Sequence, residues 1–514
     1  MSKNNNIPNI PAEKFQFVGV DMKRHDQKFE TKQISYFRDA FNRFCKNKSS
    51  VVAGIIICCL VLYAIFIPIF CETTYSKALT DTTYLQYTKL RPRNQLFVDM
   101  GLDFWDGCAT IELGDSNKIY IQGIGAETGY EVIKEEISVS KDSDGKTVTK
   151  CRVDSYINNG FMYMIRSPEE YQAIQAWQTE TGLQVIYPAI TDNTISDANI
   201  WYQANKKGVA KLDANGNYVN IYRTSGVDGD YNSTRIDGDP GKLDPTSEDR
   251  YRYATITGDE SSLSYKCRVF KHTYFQYRYG FEASFLLGTT GTGQDILTRL
   301  AAAARFSLVF AVCISAITLF IGAVYGAIEG YYGGAVDMLM ERFSDILSRV
   351  PFMVVTTLFQ LHLANKVGPV VSLLFAYVLT GWIGMAATTR MQFYRYKGQE
   401  YVLASRVLGA SDWRIMFRHI FPNSLGTIIT SSVLVIPGVI FMESSLTYLG
   451  IVNLDSSTMT SVGTMLANGR QYLSSDPHII LFPALFISLL EISFNLFGNG
   501  LRDAFNPSLR GADE

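Results

Sequence analysis

Residues 398–423 read Gly398-Gln399-Glu400-Tyr401-Val402-Leu403-Ala404-Ser405-Arg406-Val407-Leu408-Gly409-Ala410-Ser411-Asp412-Trp413-Arg414-Ile415-Met416-Phe417-Arg418-His419-Ile420-Phe421-Pro422-Asn423. The spacing predicts a short helix with an apolar stripe of Val402, Leu403 and Val407, then a turn at Gly409. A second helix, capped by Ser411, puts Ile415, Met416 and Ile420 on one side and is expected to end at Pro422. Two amphipathic helices joined at a glycine make a compact L, a shape that can insert into a groove on a partner.

Outward from this stretch the chain turns apolar on both sides. Residues 368–388 precede it and 427–449 follow it, and similar runs occur at 51–70, 306–328, 351–363 and 479–497, six in all. The run 51–70 carries no charge, and at about 1.5 Å per helical residue it covers a hydrocarbon core of roughly 30 Å. A hydrophobic fraction of 47% and a net charge of -2 over 514 residues suit a membrane protein and a globular one equally, so the distribution of residues decides. About fifty mostly polar residues precede the first run, unlike a cleavable signal peptide, and that run is expected to remain in the mature protein.

Basic residues cluster before the first run (Arg38, Arg43, Lys46 and Lys48 among them) and between the fourth and fifth (Arg390, Arg395, Lys397, Arg406, Arg414, Arg418). The connections 364–367 and 450–478 hold only Lys366 and Arg470. Short basic loops stay inside, which predicts cytoplasmic termini, a cytoplasmic loop at 391–425 and an external segment at 71–290. The chain then divides into a tail with an amphipathic surface helix (1–50), a first transmembrane helix (51–70), the external insertion (71–290), a core with five further transmembrane helices (291–500) and a cytoplasmic tail (501–514).

Phe37, Phe41 and Phe44 recur at helical spacing with Arg38, Arg43 and Lys46 on other faces, which suits a helix lying on the inner membrane surface or packed on another subunit. The external segment is rich in Tyr and in Asp/Gly/Asn turns. Strand patterns occur at 118–123, 184–187, 218–222 and 264–275, and Ser167-Pro168-Glu169-Glu170 is a helix start, which together predict an α+β domain. The tetrapeptide Lys-Cys-Arg-Val appears at 150–153 and again at 266–269, either by chance or as neighbouring strands bridged by Cys151 and Cys267. Of the eight cysteines, only Cys71, Cys108, Cys151 and Cys267 face the oxidising side. The acidic turns at 213–217 and 228–239 lack calcium-loop spacing and read as hairpin turns.

No catalytic constellation emerges. The five histidines are scattered, no phosphate-binding loop is present, and nothing points to nucleic acid. Stretch 398–423 instead resembles the EAA signature of ABC importer permeases of the oligopeptide/dipeptide class, through Glu400, Ala404, Gly409, Arg414, His419, Pro422 and Asn423, with Ser405 where many relatives have Ala. Segments 37–70, 330–337 and 494–503 are similar to the same branch, and 287–295 departs from it at Thr290 and Gln294.

The resemblance implies six transmembrane helices of the type I ABC importer permease fold in a bacterial cell membrane, here with an inserted extracytoplasmic α+β domain. It implies that the seven matching residues couple the chain to ATPase subunits. The expected partners are a second homologous permease, two cytoplasmic ATPases, an extracytoplasmic substrate-binding lipoprotein, the peptide substrate and the lipid bilayer. No cofactor or metal is implied. Import of nickel or glutathione, and a membrane sensor with an external ligand-binding domain, are the alternatives. Among acids in the runs, Glu443 suits a structural hydrogen bond, whereas Glu491, nearer mid-membrane, suits a substrate path or a partner.

Overall fold

A computed structural model describes residues 36–70, 87–187 apart from 142 and 144, 214, 254–257, and 264–505 apart from 457 and 458. The predicted strand at 218–222, the acidic turns and Cys71 lie outside the described residues. Among the described residues, five helices are long and apolar enough to cross a bilayer: Lys48–Phe70, Ile296–Tyr332, Pro369–Tyr396, Asp412–Tyr448 and His478–Phe505. They are spans one, two, four, five and six below. The run expected to be span three forms Phe352–His362, whose 11 residues reach only about 16 Å. It follows a separate amphipathic helix, Gly334–Ser348, that the sequence reading missed.

Close backbone approach holds the bundle together. Gly322, Gly326 and Gly330 recur every four residues on span two and lie against Met385 and Ala386, then Ala386 and Thr389, then Phe393 and Arg390 of span four. A Cβ at Gly326 would come within 2.2 Å of the Ala386 carbonyl oxygen, so only glycine permits this contact. Residue numbers rise together along the two helices, which therefore run parallel. A shared core joins Ala304, Ile314 and Phe310 of span two to Ile440 and Leu446 of span five and Leu490 and Phe494 of span six. The surface helix Tyr36–Lys46 docks on the same bundle, with the Phe44 ring 5.2 Å from that of Phe497 and Phe41 left exposed.

The segment between spans one and two contains two antiparallel sheets. Strands β1 (Cys108–Gly114), β2 (Ile133–Lys141) and β3 (Thr147–Asp154) are ordered β1-β3-β2. In the second sheet, β4 (Phe161–Arg166), β5 (Ile186–Tyr187) and β6 (Ala254–Thr257) all pair with β7 (Ser264–Phe270). Leu113, Val153, Phe161, Tyr187 and Phe270 form one core between them. Beside it the fully buried Arg268 guanidinium grips Glu127 through two bonds of 2.7 and 2.9 Å and lies 3.8 Å from the Phe161 ring centroid. Helix Pro168–Thr181 starts as expected, with Ser167 Oγ accepting from Glu170 N.

Three expectations are corrected here. The strand-like run 118–123 lies within helix Asp115–Thr128, because Ile121 and Ile124, three residues apart, both bury against the sheet. The run 264–275 is a strand only to Phe270, and the rest belongs to helix Lys271–Tyr279, which buries His272, Tyr274 and Phe275. Cys151 and Cys267 are buried free thiols in different sheets, on β3 and β7, so the repeated tetrapeptide marks no bridge between neighbouring strands.

Candidate functional site

The stretch 398–423 forms an arm on the bundle. Helix Glu400–Val407 ends at Leu408, and Gly409 reverses the chain at φ +80°, a backbone conformation that suits glycine and strains side chains with a Cβ. Ser411 holds the extended N-cap position, but its hydroxyl makes no capping bond. The second helix does not end at Pro422. It runs from Asp412 into span five through a π-helical turn, Ile415–Ile420, in which Phe421 N reaches back to Met416 O. This wider turn comes directly before a proline that has no N–H to give, which lets the helix absorb the lost bond.

The arm has two unlike sides. Val402, Ile415, Met416 and Ile420 are buried against Ala327 and Tyr331 of span two and Phe393 of span four. Leu403, Val407, Leu408 and Trp413 face outward, with Val407 and Leu408 exposed at 87% and 86%. The predicted stripe is thus split, since Val402 points in while Leu403 and Val407 point out. Asn423 ties the two helices by donating to the Tyr401 hydroxyl at 3.2 Å and to the His419 carbonyl at 2.8 Å. Glu400, Ala404, Gly409, Arg414, Pro422 and Asn423 are exposed, and His419 is half-buried.

A charged brace that the sequence reading missed holds the arm's base. Arg390, near the C-terminal end of span four, grips Asp337 at 2.6 and 2.8 Å and Glu341 at 2.9 and 3.1 Å, with Glu329 at 3.6 Å. The Tyr394 hydroxyl donates to Asp337 at 2.6 Å, and Lys397 donates to the Gly330 carbonyl at 2.9 Å. Tyr331 donates to Asp412 at 2.6 Å, linking span two to the arm itself. The sequence signals this brace only through the stretch 330–337, which ends in Asp337.

The two membrane glutamates differ. Glu443 is fully buried, and its carboxylate accepts from Ser307 at 3.2 Å, Thr447 at 3.2 Å and Ser444 at 3.4 Å. These are hydrogen bonds of the kind expected for it. Glu491 is half-buried, and its Oε1 has no hydrogen-bond partner among the described residues. Ser488, Asn495 and Asn499 lie on the same face of span six and are exposed.

At the opposite end of the bundle a cavity of about 550 Å³ opens among Gln294, Arg299, Asn453, Asp455, Asn468 and Tyr472. Arg299 and Asn468 hold Asp455 at 3.0 and 2.9 Å. Thr290 and Gln294, the two departures from the family pattern, close a turn on each other: Thr290 N donates to the Gln294 carbonyl at 2.8 Å and Gln294 N donates to Thr290 Oγ1 at 3.1 Å. Asp295 then caps span two, accepting from Thr298 N at 2.9 Å.

Residues 319–511 match the family of binding-protein-dependent transport system inner membrane components, and residues 35–92 match the N-terminal transmembrane domain of oligopeptide transport permease C. The chain is 40% identical over 223 residues to the oligopeptide transport system permease protein OppC of Bacillus subtilis, covering 43% of this chain and 72% of that protein. It is 38% identical over 229 residues to the dipeptide transport system permease protein DppC of the same organism, covering 44% and 70%. Among solved structures, an inward-facing MetNI methionine ABC transporter matches 40% of this chain and 96% of its own, with 13% identity and a TM-score of 0.34, too low for comparison element by element.

Proposed function

This chain belongs to the oligopeptide and dipeptide transport permeases, membrane subunits of peptide importers whose ATPase is a separate subunit, and from that premise we propose that it couples to its ATPase through the arm 398–423. The observation that carries the proposal is the arm's two-sided build. One face is sunk into spans two and four, while Leu403, Val407, Leu408 and Trp413 stand out as an apolar knob that a protein groove would bury. Motion of a partner around that knob would pass into the bundle through Tyr331 and Asp412 and through the Arg390 brace. Glu400, Ala404, Gly409, Arg414, His419, Pro422 and Asn423 shape or flank it, Gly409 by its turn and Asn423 by its tie.

We read the chain as a six-crossing permease of the type I importer kind, with both termini and the arm in the cytoplasm and 71–290 outside. Support comes from the parallel packing of spans two and four. Two successive helices that point the same way require the chain between them to cross back, and residues 333–368 offer Gly334–Ser348 and Phe352–His362 for the return.

The expected complex adds a second homologous permease, two ATPases and an external substrate-binding lipoprotein. Within it, Glu491 with Ser488, Asn495 and Asn499 faces the substrate path or that second permease, since lipid is a poor neighbour for such a stripe. The external sheets serve as a docking platform for the binding protein. Replacing Gly409 with Arg tests the coupling role: membrane insertion should be normal and peptide-stimulated ATP hydrolysis lost, whereas wild-type uptake would refute it.

A further inference from the structure

Residues 94–106, between span one and β1, form a closed loop with an unusual surface. Arg93 bridges to Asp106, Asn94 N donates to the Trp105 carbonyl at 2.7 Å, and Asn94 caps the one-turn helix Gln95–Asp99. The Phe97 and Phe104 rings of the loop lie 6.3 Å apart. Four apolar side chains point away from it, with Leu96 exposed at 55%, Met100 at 64%, Leu102 at 47% and Phe104 at 62%.

The loop's position shows what would cover these side chains. The Trp105 ring lies 5.9 Å from the ring of Phe482, and its Nε1 donates to the Leu286 carbonyl. Span six starts at His478, so Phe482 sits four residues, roughly 6 Å, into the membrane helix. The indole therefore reaches about one turn below the start of the span. On the same span Leu481 and Leu485 are exposed at 49% and 54%, and within the loop the Phe104 ring lies 4.5 Å from that of Trp105. An aromatic ring with a bonded N–H at this depth suits the membrane interface.

Charge separates lipid binding by burial from lipid binding by attraction. Residues 94–106 contain Asp99, Asp103 and Asp106 and no Lys or Arg. Arg152 of β3 pairs with Asp106 at 2.6 Å and with Asp103, whose side chain is 86% exposed, at 2.6 Å. The loop offers no cation to an anionic headgroup.

We propose that Leu96, Met100, Leu102 and Phe104 insert into the leaflet that surrounds the start of span six and pin the sheet-bearing region to the membrane surface by apolar burial alone. The occupant is zwitterionic phospholipid. That this leaflet is the outer one rests on the topology proposed above, which labelling of intact cells tests separately, since the insertion itself does not depend on which leaflet it is.

The test uses the full chain with its partner subunits in phosphatidylcholine nanodiscs, carrying Met100→Cys with an environment-sensitive fluorophore and its other exposed cysteines replaced. Nitroxide placed high on the lipid acyl chains should quench the probe, aqueous iodide should not, and exchange of part of the phosphatidylcholine for anionic lipid should leave the quenching unchanged. Quenching by iodide alone would overturn the proposal. A photo-crosslinker at Leu102 resolves the case in which neither quencher acts: a lipid adduct upholds the proposal, and an adduct to a partner permease or binding protein overturns it.

Discussion

At the arm end of the bundle, Arg390 of span four binds Asp337 and Glu341 of helix Gly334–Ser348 and approaches Glu329 of span two, locking three helices together beside an exposed apolar knob at Val407 and Leu408. At the opposite end, amides, hydroxyls and one ion pair, Arg299 with Asp455, line an open cavity, and the sheet region contacts that end through Arg91, which donates to the Ser475 carbonyl at 2.7 Å. A charge network with short bonds and few alternatives transmits displacement, because any shift breaks several contacts at once. A neutral polar cavity tolerates varied occupants, because amides and hydroxyls can donate or accept. Under the proposed coupling, the arm end is the end to be pushed and the cavity end the one to receive.

The glycine ridge on span two holds it against span four, and breaking that contact should have the largest effect. Gly326→Leu would drive a side chain into the Ala386 carbonyl 2.2 Å away and separate spans two and four. Little folded protein should be recovered from the membrane, as judged by size-exclusion profile and protease resistance.

Removing the brace alone should be milder. Arg390→Ala leaves Asp337, whose side chain is 12% exposed, without its cation. Because Arg390 itself is 24% exposed, the cost should fall below that of a fully buried pair, on the order of 2 kcal/mol. The protein should insert and melt a few degrees lower, while peptide uptake falls much further than stability does. Equal losses in both would mean that the brace is only structural.

The sheet region should respond instead to acid. Burial, and then the nearby Arg93 charge, push the His272 imidazole down from 6.5 to about 4, and Glu282 at 3.7 Å does not offset this. The folded state therefore holds a neutral ring where the unfolded chain would take up a proton. Its stability is fully present above about pH 6.5 and is lost as pH falls toward 4, by up to about 3 kcal/mol for this one group. Hydrogen exchange in helix Lys271–Tyr279 and strand β7 should accelerate over that window, and His272→Gln should flatten the dependence. Exchange that accelerates equally at the inner arm would mean that the effect is not local to this histidine.

The two ends were unequally legible in the sequence. The arm's glycine, its buried Ile415, Met416 and Ile420 and its motif residues could be read directly, because helical periodicity and a turn residue are local signals. Its continuation past Pro422 could not, since a π-turn leaves no mark in composition. Arg390 and Asp337 lie 53 residues apart, and nothing local pairs them. In the insertion, run 118–123 looked like a strand because Ile and Tyr favour strands, and the neighbouring sheet overrode that preference. Cys151 and Cys267 share a tetrapeptide but belong to different sheets, and tertiary placement of that kind is invisible in a repeat of four residues.

The claim at the centre of this account is that the exposed knob, rather than some other inner surface, meets the ATPase. With Leu408→Cys in the assembled importer and its other accessible cysteines replaced, a short thiol-to-amine crosslinker should join the permease to the ATPase subunit, and the yield should change between nucleotide-free and ATP-bound states. Leu408→Asp with Val407→Asp should abolish ATPase association while the permease still inserts. Crosslinking only to lipid or to a second permease, with ATPase binding undisturbed by the two aspartates, would contradict the account.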